Sequence, residues 1–519
     1  LSVGDLVTVY SGQSELMSPD QGLDPMAADF RIQGYERNDG CHGQFLAVQG
    51  PQLHPKLSSL TFEEAGSYGL TMGTIQRALF TTLNIETGKR LFVEGASTGT
   101  GYDCLRSATA SGLSCLGMVS SDQRATRVTA AGGSPINRKD DRWKDIFTAV
   151  PDDPNEWQAW HEAGLPFVAA AEAAVGGNID YAVSHAGENA FPRTFQLLGD
   201  NGVLAFYGAS SGYRFTFLGK PGASSPATMF RRAGLRPGQT ILIVYGPGAE
   251  DGIVDNVAIE AIEVACQNGG QVAVLVDTIA QREFVSSLGF GPRVRGVVSI
   301  EEIAKRLGDD FMPPGPFPGM PDPFTESLAF REAVREFSDK TLKPIGSAIA
   351  PALRNTLDKR GLPDIVFERR GRDGLALASA LVKPNTGRVV YAEDLEGQCF
   401  SFYAPQVWTR QRRVLMPTAE IRGTHLNTSR EFAEMQEQIA SGLLAVLPPT
   451  PVTMEELPEA HQAMWENRHQ GANYVAVHAL PREGLKTKDE LYRAWALRDA
   501  AERGEQITQV ETGSAGALR

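Results

Sequence analysis

The stretch that most restricts what this chain can fold into is Leu91-Phe-Val-Glu-Gly-Ala-Ser-Thr-Gly-Thr-Gly101. An apolar run of strand length meets a turn of small residues, and Tyr102 to Ala110 then has a helical pattern. Gly95, Gly99 and Gly101 let the backbone turn tightly and approach a ligand without a Cβ in the way. Ala96, Ser97, Thr98 and Thr100 fill the turn with side chains too small to block it. The start of the helix then offers N–H groups and the positive end of its dipole to a pyrophosphate. A tight strand-to-helix turn without a ligand is the plain alternative. The context favours the phosphate site, because a second apolar strand, Leu113 to Val119, comes at the distance a βαβ unit requires.

The residues just past that second strand select the dinucleotide. An acidic residue there grips the ribose 2′-hydroxyl of NAD, whereas small hydroxyls and an arginine suit the 2′-phosphate of NADP. Ser120, Ser121 and Arg124 fit the phosphate, Asp122 argues mildly against it, and Arg138 and Lys139 add charge nearby. The pattern favours NADP (as NADPH) over NAD.

Buried strands and helices continue to alternate through Asn178–Gly187 and Gly202–Tyr207, the latter ending in the small-residue loop from Gly208 to Gly212. This is the pattern of a doubly wound parallel sheet, a Rossmann unit. The pattern then repeats. Leu235 to Gly252 mirrors Ile85 onwards, Gln271–Asp277 mirrors the second strand, Pro363–Gly371 mirrors Asn178–Gly187, and Lys383–Tyr391 mirrors Gly199–Phe206. The chain reads as a tandem duplication. In the second copy the glycine turn carries Glu250 and Asp251 where phosphate oxygens would lie, and like charges repel. This copy is expected to have lost dinucleotide binding. It also carries a proline-rich insertion, Phe311 to Pro323, unsuited to helix or central strand, and expected to be an ordered excursion or a flexible loop.

The remaining pieces are simpler. Val3–Tyr10 and Gln44–Val48 are strand-like, and Thr61 with Glu64 forms a capping box ahead of a helix to Phe80. Asp145–Val175, Pro192–Leu198, Arg430–Leu444 and Leu457–Arg468 are expected helices, Asn473–Ala479 a final strand, and Lys488–Arg503 a charged helical stretch in a frayed tail. At 519 residues the chain can hold two or three domains. A net charge of −13 argues against nucleic acid as partner, and no apolar run is long enough to span a membrane. The five cysteines form no paired framework, which fits a reduced, cytoplasmic protein.

Several motifs together resemble those of crotonyl-CoA carboxylase/reductases in the medium-chain dehydrogenase/reductase superfamily. They are Gly34-Tyr-Glu36, Leu60-Thr-Phe-Glu-Glu-Ala65, Val119-Ser-Ser121, Ile136-Asn-Arg138, Asp364-Ile-Val-Phe-Glu368, Arg422-Gly-Thr-His425 and Met464-Trp-Glu-Asn-Arg468. The second copy is similar to the reductase portion of propionyl-CoA synthases, which are multifunctional enzymes. The resemblance implies an α/β fold of two tandem Rossmann units plus a partial GroES-like β-rich catalytic domain. Its divisions would be 1–84 (catalytic domain), 85–217 (NADP-binding unit), 218–237 (linker), 238–427 (degenerate second unit), 428–480 (return of the catalytic domain) and 481–519 (tail). Relatives begin with strands that precede a segment like Val3-Gly-Asp5, so the chain is expected to be a fragment of a longer polypeptide. Superfamily members pair through sheet edges, which implies a homodimer, or a duplicated fold that imitates this pairing within one chain.

The resemblance also implies the chemistry. Zinc-dependent relatives carry Gly-His-Glu where this chain has Gly34-Tyr35-Glu36, so no metal is expected. Without zinc, hydride delivered to the β-carbon of an enoyl thioester leaves an enolate, and a proton then reaches the α-carbon. The implied reaction is the reduction of a short enoyl-CoA, acrylyl-CoA to propionyl-CoA, as one module of a larger synthase. His425 is the leading catalytic candidate, against a structural loop histidine. Phe62 and Glu63 match a pair lining the reactive pocket of carboxylating relatives, against a helix-entry staple and a first-turn acid. Tyr68 is a possible proton donor, against a core tyrosine. Lys383 matches a CoA-contacting position, and Arg410, Arg412 and Arg413 offer a cationic patch for CoA phosphates, against a solvated basic run. Other readings stay open: a quinone reductase, a reductive carboxylase, or a scaffold that binds NADPH without turnover.

Overall fold

A computed structural model of the chain describes residues 1–477, apart from 38–39, 44, 249–251, 355–358, 467 and 470–472. The expected tail helix at Lys488–Arg503 lies outside the described residues.

Helix α1, Phe62–Gln76, starts where the sequence sets it. Thr61 Oγ1 accepts the N–H of Glu64 at 3.1 Å, and the Glu64 carboxylate accepts the N–H of Thr61 at 2.9 Å. It runs on as a π-helical turn, Arg77–Leu83, and stops at Asn84, whose φ of 52° ends the helix in the left-handed region. Val7–Val9 pairs antiparallel with Leu53–Pro55 beside it. The strand expected over 44–48 does not form among the described residues of that stretch.

From Arg90 the chain alternates as its hydrophobic pattern demands. The first copy is β1 (Arg90–Val93), α2 (Gly99–Ala110), β2 (Ser114–Val119), α3 (Asp122–Ala130), β3 (Ser134–Asn137), α4 (Trp157–Val175), β4 (Ile179–Ser184), α5 (Phe191–Gln196) and β5 (Leu198–Phe206). α4 begins later than the composition suggested, because Asp153 and Pro154 set a short 3-10 turn ahead of Trp157. β6 (Arg214–Leu218) and a short helix, α6 (Pro226–Arg232), lead to the second copy. Its strands are β7 (Thr240–Val244), β8 (Gln271–Val276), β9 (Val294–Ser299), β10 (Ile365–Glu368) and β11 (Arg388–Tyr391), with α7 (Asn256–Gln267) after β7. β12 (Cys399–Tyr403), β13 (Arg413–Leu415) and β14 (Ala419–Gly423) come next.

All but β6 and β12 join one sheet of 12 strands in the order β9-β8-β7-β10-β11-β13-β14-β5-β4-β1-β2-β3. Neighbours are parallel except β13 and β14 at the centre, which are antiparallel. The duplication is literal in its hydrogen bonds. Asp180 accepts the N–H of Arg90 at 2.9 Å, and Asp364 accepts that of Thr240 at 2.8 Å, each just before or within the fourth strand of its copy.

Two expectations are refined. The second unit, set at 238–427, contains β14, which pairs with β5 of the first copy. The second copy is therefore inserted into the first, and the presumed linker at 218–237 holds α6. Pairing between copies, the alternative to a dimer edge, occurs inside this one chain.

Because the two halves run in opposite directions, the carboxyl ends of the first copy's strands share an edge of the sheet with the amino ends of the second copy's strands. Across the seam, β6 and β12 pair antiparallel and contribute Phe215, Phe217, Phe400 and Phe402 to one aromatic core with Phe191 and Phe206. Phe217 stacks on Phe400 at 4.9 Å, and Phe191 meets Phe215 at 4.4 Å. The proline-rich insertion is an ordered excursion fixed to this seam. Phe317 is buried, stacks on Tyr403 at 5.4 Å, and its carbonyl accepts from Ser401 at 3.1 Å and Arg214 at 3.0 Å.

Candidate functional site

The glycine turn is built as its residues suggested. Gly95 has φ +55°, and a Cβ on Gly101 would stand 2.4 Å from the Gly95 carbonyl oxygen, so α2 reaches this close only with glycine there. Thr98 Oγ1 donates to the Gly95 carbonyl at 2.7 Å, and Thr98 is the N-cap of α2 yet gives it no side-chain cap. Ala96 is buried against Gly117, and Ser97 is buried beside it. Gly99, Thr100 and Gly101 form the first turn of α2. A cleft of about 270 Å³ opens here, lined by Gly95, Ser97, Thr98, Ser120, Arg124, Arg138, Ala186, Asn189, Ser210 and Ser211. Gly208, with φ +64°, turns the chain into the last of those walls.

The residues at and after the end of β2 divide between the cleft and the surface. Arg124 Nη1 donates to Ser120 Oγ at 3.2 Å, and both line the cleft with Arg138. Ser121 caps α3, accepting from the N–H of Arg124 at 3.4 Å. Asp122, the residue that argued against a 2′-phosphate, is exposed and accepts from Asn137 Nδ2 at 2.9 Å. It does not line the cleft.

Beneath the turn lies a polar group that sequence reasoning left without a role. Glu94 is fully buried and accepts the N–H groups of His185 at 3.0 Å and Ala186 at 2.9 Å, and the Thr194 hydroxyl. It ties the loop after β1 to the loop after β4, the two walls of the cleft. His185 stacks on Tyr207 at 5.6 Å, and burial lowers its pKa against the opposing pull of Glu94. The signal in the sequence was a lone carboxylate ending an apolar strand.

The second copy differs at the helix start. Asp255 caps α7, accepting the N–H groups of Val257 and Ala258, each at 3.1 Å, and that of Gly246 at 3.1 Å. Arg369 lies 3.2 Å from the same carboxylate, and Gln281 Nε2 donates to the Gly246 and Gly252 carbonyls at 3.1 Å. A carboxylate of the chain itself therefore takes the place a phosphate takes at such a helix end. Glu250 and Asp251, from which the loss was expected, lie outside the described residues. At the end of β8, Asp277 is held by Arg370, whose other nitrogen donates to the Pro314 carbonyl at 3.0 Å.

The remaining candidates are dispersed. His425 lies just after β14, past the carboxyl end of the first copy's strands. Its Nδ1 is buried without a hydrogen-bond partner among the described residues, and its ring meets Phe30 edge-on at 6.1 Å. Burial, then the charges of Arg77 and Arg410, push its pKa down to about 4, so it is a neutral imidazole at pH 7. Tyr68 is a core residue. It is 1% exposed, stacks on Phe432 at 5.8 Å and accepts from Gln436 at 2.9 Å. Phe62 is half exposed with Lys56 Nζ 5.1 Å from its ring centre, and Glu63 stands in the first turn of α1.

The basic residues expected to meet CoA line the shared sheet edge unevenly. Lys383 Nζ pairs with Asp364 at 2.9 Å, and Arg413 with Glu420 at 2.5 Å. Arg412 faces inward: it is 5% exposed, and burial lowers its pKa to about 9 while its Nη1 donates to the Gln406 carbonyl at 2.9 Å. Arg410 is partly exposed and supplies its carbonyl to the N–H of Asn385 at 2.6 Å. Arg388, which sequence reasoning missed, opens β11 with Nε and Nη1 buried and unpartnered among the described residues. Burial, then Arg413, lowers its pKa. In the sequence it is one strand-initiating arginine among many charges; only the sheet brings it beside Arg413 and the first copy's carboxyl edge.

No family model matches the chain. The crotonyl-CoA carboxylase/reductase of Cereibacter sphaeroides is 31% identical over 230 residues, 41% of this chain and 51% of that protein. The crotonyl-CoA reductase of Streptomyces collinus is 30% identical over 217 residues, 40% of this chain and 46% of the relative. The quinone oxidoreductase of Mus musculus is 28% identical over 116 residues, 22% of this chain and 35% of that protein. The chain thus spans about half the length of the curated crotonyl-CoA relatives it matches. A solved crotonyl-CoA carboxylase/reductase is 18% identical with a TM-score of 0.48, covering 95% of this chain and 72% of that one. Another, in complex with NADP, is 15% identical with a TM-score of 0.49, covering 92% and 72%. The chain is similar, across two-fifths of its length, to the crotonyl-CoA carboxylase/reductases.

Proposed function

We propose that the chain is the NADPH-dependent reductase of a short enoyl-CoA, acrylyl-CoA foremost, and one module of a longer multifunctional, cytoplasmic polypeptide. The observation that carries this reading is the difference between the two helix starts. α2 leaves its N-terminus without a side-chain cap above an open cleft, whereas α7 is capped by Asp255. Only the first is free to take an external pyrophosphate. Ser120, Arg124 and Arg138 would hold the 2′-phosphate, the glycine turn the pyrophosphate, and the nicotinamide would supply hydride to the β-carbon.

Glu94 holds the two loops of the cleft in register, which would help to hold a bound hydride donor in one position. Arg410, partly exposed at the shared edge, would meet CoA phosphates, with the positive charge of Arg388 behind it. His425, neutral at working pH, can donate one N–H to the enolate oxygen without delivering a full charge. Phe62 and Glu63 remain candidates for the wall of the acyl pocket. The internal pairing of the copies makes one chain the counterpart of a paired dimer, and homodimers of it would form through other surfaces.

The test is spectrophotometric: NADPH loss with a panel of enoyl-CoA esters, with and without bicarbonate, and with a benzoquinone. Acrylyl-CoA turnover exceeding that of quinone at least ten-fold is expected. Quinone preference, or consumption only with bicarbonate, would replace the reading with the corresponding alternative. Arg124→Ala is expected to weaken NADPH about ten-fold or more and to leave NADH unchanged, measured by cofactor fluorescence.

A further inference from the structure

A cavity of about 550 Å³, larger than the cofactor cleft, opens at the seam between the copies. Trp157 and Trp160 of α4, Phe195 of α5 and Leu218 of β6 wall it, Lys220 lies at its base, and Glu396 of the second copy stands at its rim. The walls are preformed. Arg193, fully buried, places its guanidinium carbon 3.4 Å from the Trp160 ring centre. All three arms of that guanidinium are spent, on the Ile146 carbonyl at 3.0 Å, Gln196 at 2.6 Å and the Trp160 carbonyl at 2.7 Å. The indole N–H groups are spent too, on the Pro151 carbonyl at 2.8 Å and Thr148 at 3.2 Å, so both tryptophans offer apolar surface.

Among the described residues lining the cavity, Lys220 is the one lysine or arginine; Gln158, His161 and Gln196 are the neutral polar side chains beside it. The Lys220 ammonium donates to the Leu198 carbonyl and lies 5.4 Å from the Phe195 ring centre. No carboxylate among the described residues comes within ion-pair distance of it; Asp394, which attracts it from farther off, is engaged by Thr418. Burial outweighs the pull of Asp200, Asp394 and Glu172 and lowers its pKa to about 8. A largely buried cation beside one aromatic ring, with a carbonyl as acceptor, lacks a counter-ion within ion-pair distance, and an anion entering the cavity supplies one. The volume is that of a typical small-molecule site.

We propose that this cavity binds a small planar aromatic monoanion, its carboxylate on Lys220 and its ring against Trp157, Trp160 and Phe195. The site is separate from the cofactor cleft. Leu198 opens β5, while Ser210 and Ser211 of the cleft lie past its other end; the strand bulges after Leu198, and its ends stand opposite Ile179 and Ser184, about 17 Å apart at the usual rise of a strand. The proposal does not depend on the reaction assigned above.

The test is a titration of the full chain, saturated with NADPH and CoA, with naphthalene carboxylate, followed by tryptophan fluorescence and calorimetry. Saturable binding of one molecule per chain is expected. The neutral naphthalene carboxamide should bind about ten-fold more weakly. Lys220→Met should weaken the carboxylate about ten-fold and leave the carboxamide unchanged. Glu396→Gln, at an exposed rim position that does not endanger folding, should tighten the carboxylate two- to three-fold. Equal affinity for the two probes, indifference to both substitutions, displacement by raised CoA, or no saturation at millimolar probe would each overturn the proposal.

Discussion

At the scale of single residues, two buried titratable groups give the chain opposite responses to pH. Burial lowers the His425 pKa to about 4, so below its ordinary 6.5 the unfolded chain takes a proton that the folded one refuses. Its contribution to stability is complete above pH 6.5 and is lost as pH falls toward 4. Glu368 runs the other way. It is fully buried beneath the amides of Arg370 and Gly371, each at 2.9 Å, and desolvation raises its pKa to about 8. The folded chain keeps its proton from pH 4.5 up to about 8, so stability falls as pH rises through that window. Urea unfolding at a series of pH values is expected to show this. His425→Gln should flatten the acid limb, and Glu368→Gln should remove the decline toward pH 8, each by up to roughly 1.4 kcal/mol per pH unit. Neither response was legible in the sequence, where one residue is a histidine in a motif and the other a glutamate closing an apolar strand. Burial sets both, and burial depends on what the rest of the chain packs over them.

At the scale of elements, the two strand–turn–helix units show one local pattern put to different ends. Gly101→Ala would drive a Cβ to within 2.4 Å of the Gly95 oxygen, forcing α2 away from β1. NADPH affinity is expected to fall more than ten-fold while the circular dichroism spectrum keeps its helix and strand content. Asp255→Ala in the second copy should behave oppositely. Loss of the α7 cap costs about 1–2 kcal/mol in denaturant unfolding, and the stoichiometry of one NADPH per chain stays unchanged. The first turn could be read from its glycines, because close backbone approach is a local demand. The closure of the second could not be read from its own turn. Asp255 lies at the foot of the next helix, Gln281 one helix further, and Arg369 three strands away, and only the fold gathers them.

At the scale of the whole molecule, the halves share a sheet and an aromatic core, so they should unfold together. Phe402 is buried among Phe191, Phe206, Phe215 and Phe217, contributed by both sides of the seam. Phe402→Ala is expected to destabilise the chain by about 3–5 kcal/mol. It should accelerate global hydrogen exchange in β1 and β7 alike; a loss confined to the second copy would mean that the seam does not couple them. The sequence by itself determined the alternation of strands and helices, the duplication, the capping box of α1 and the glycine turn, because each rests on hydrophobic period, a short-range hydrogen bond or a steric need within a few residues. It did not determine that β14 crosses back to complete the first copy, nor that the opposed halves bring Arg388 to the edge bearing the glycine-turn cleft. The first depends on a pairing between residues more than 200 positions apart, and the second on whether the short β13–β14 reversal joins the two halves; both are chosen by the burial of the whole sheet rather than by any segment's own pattern.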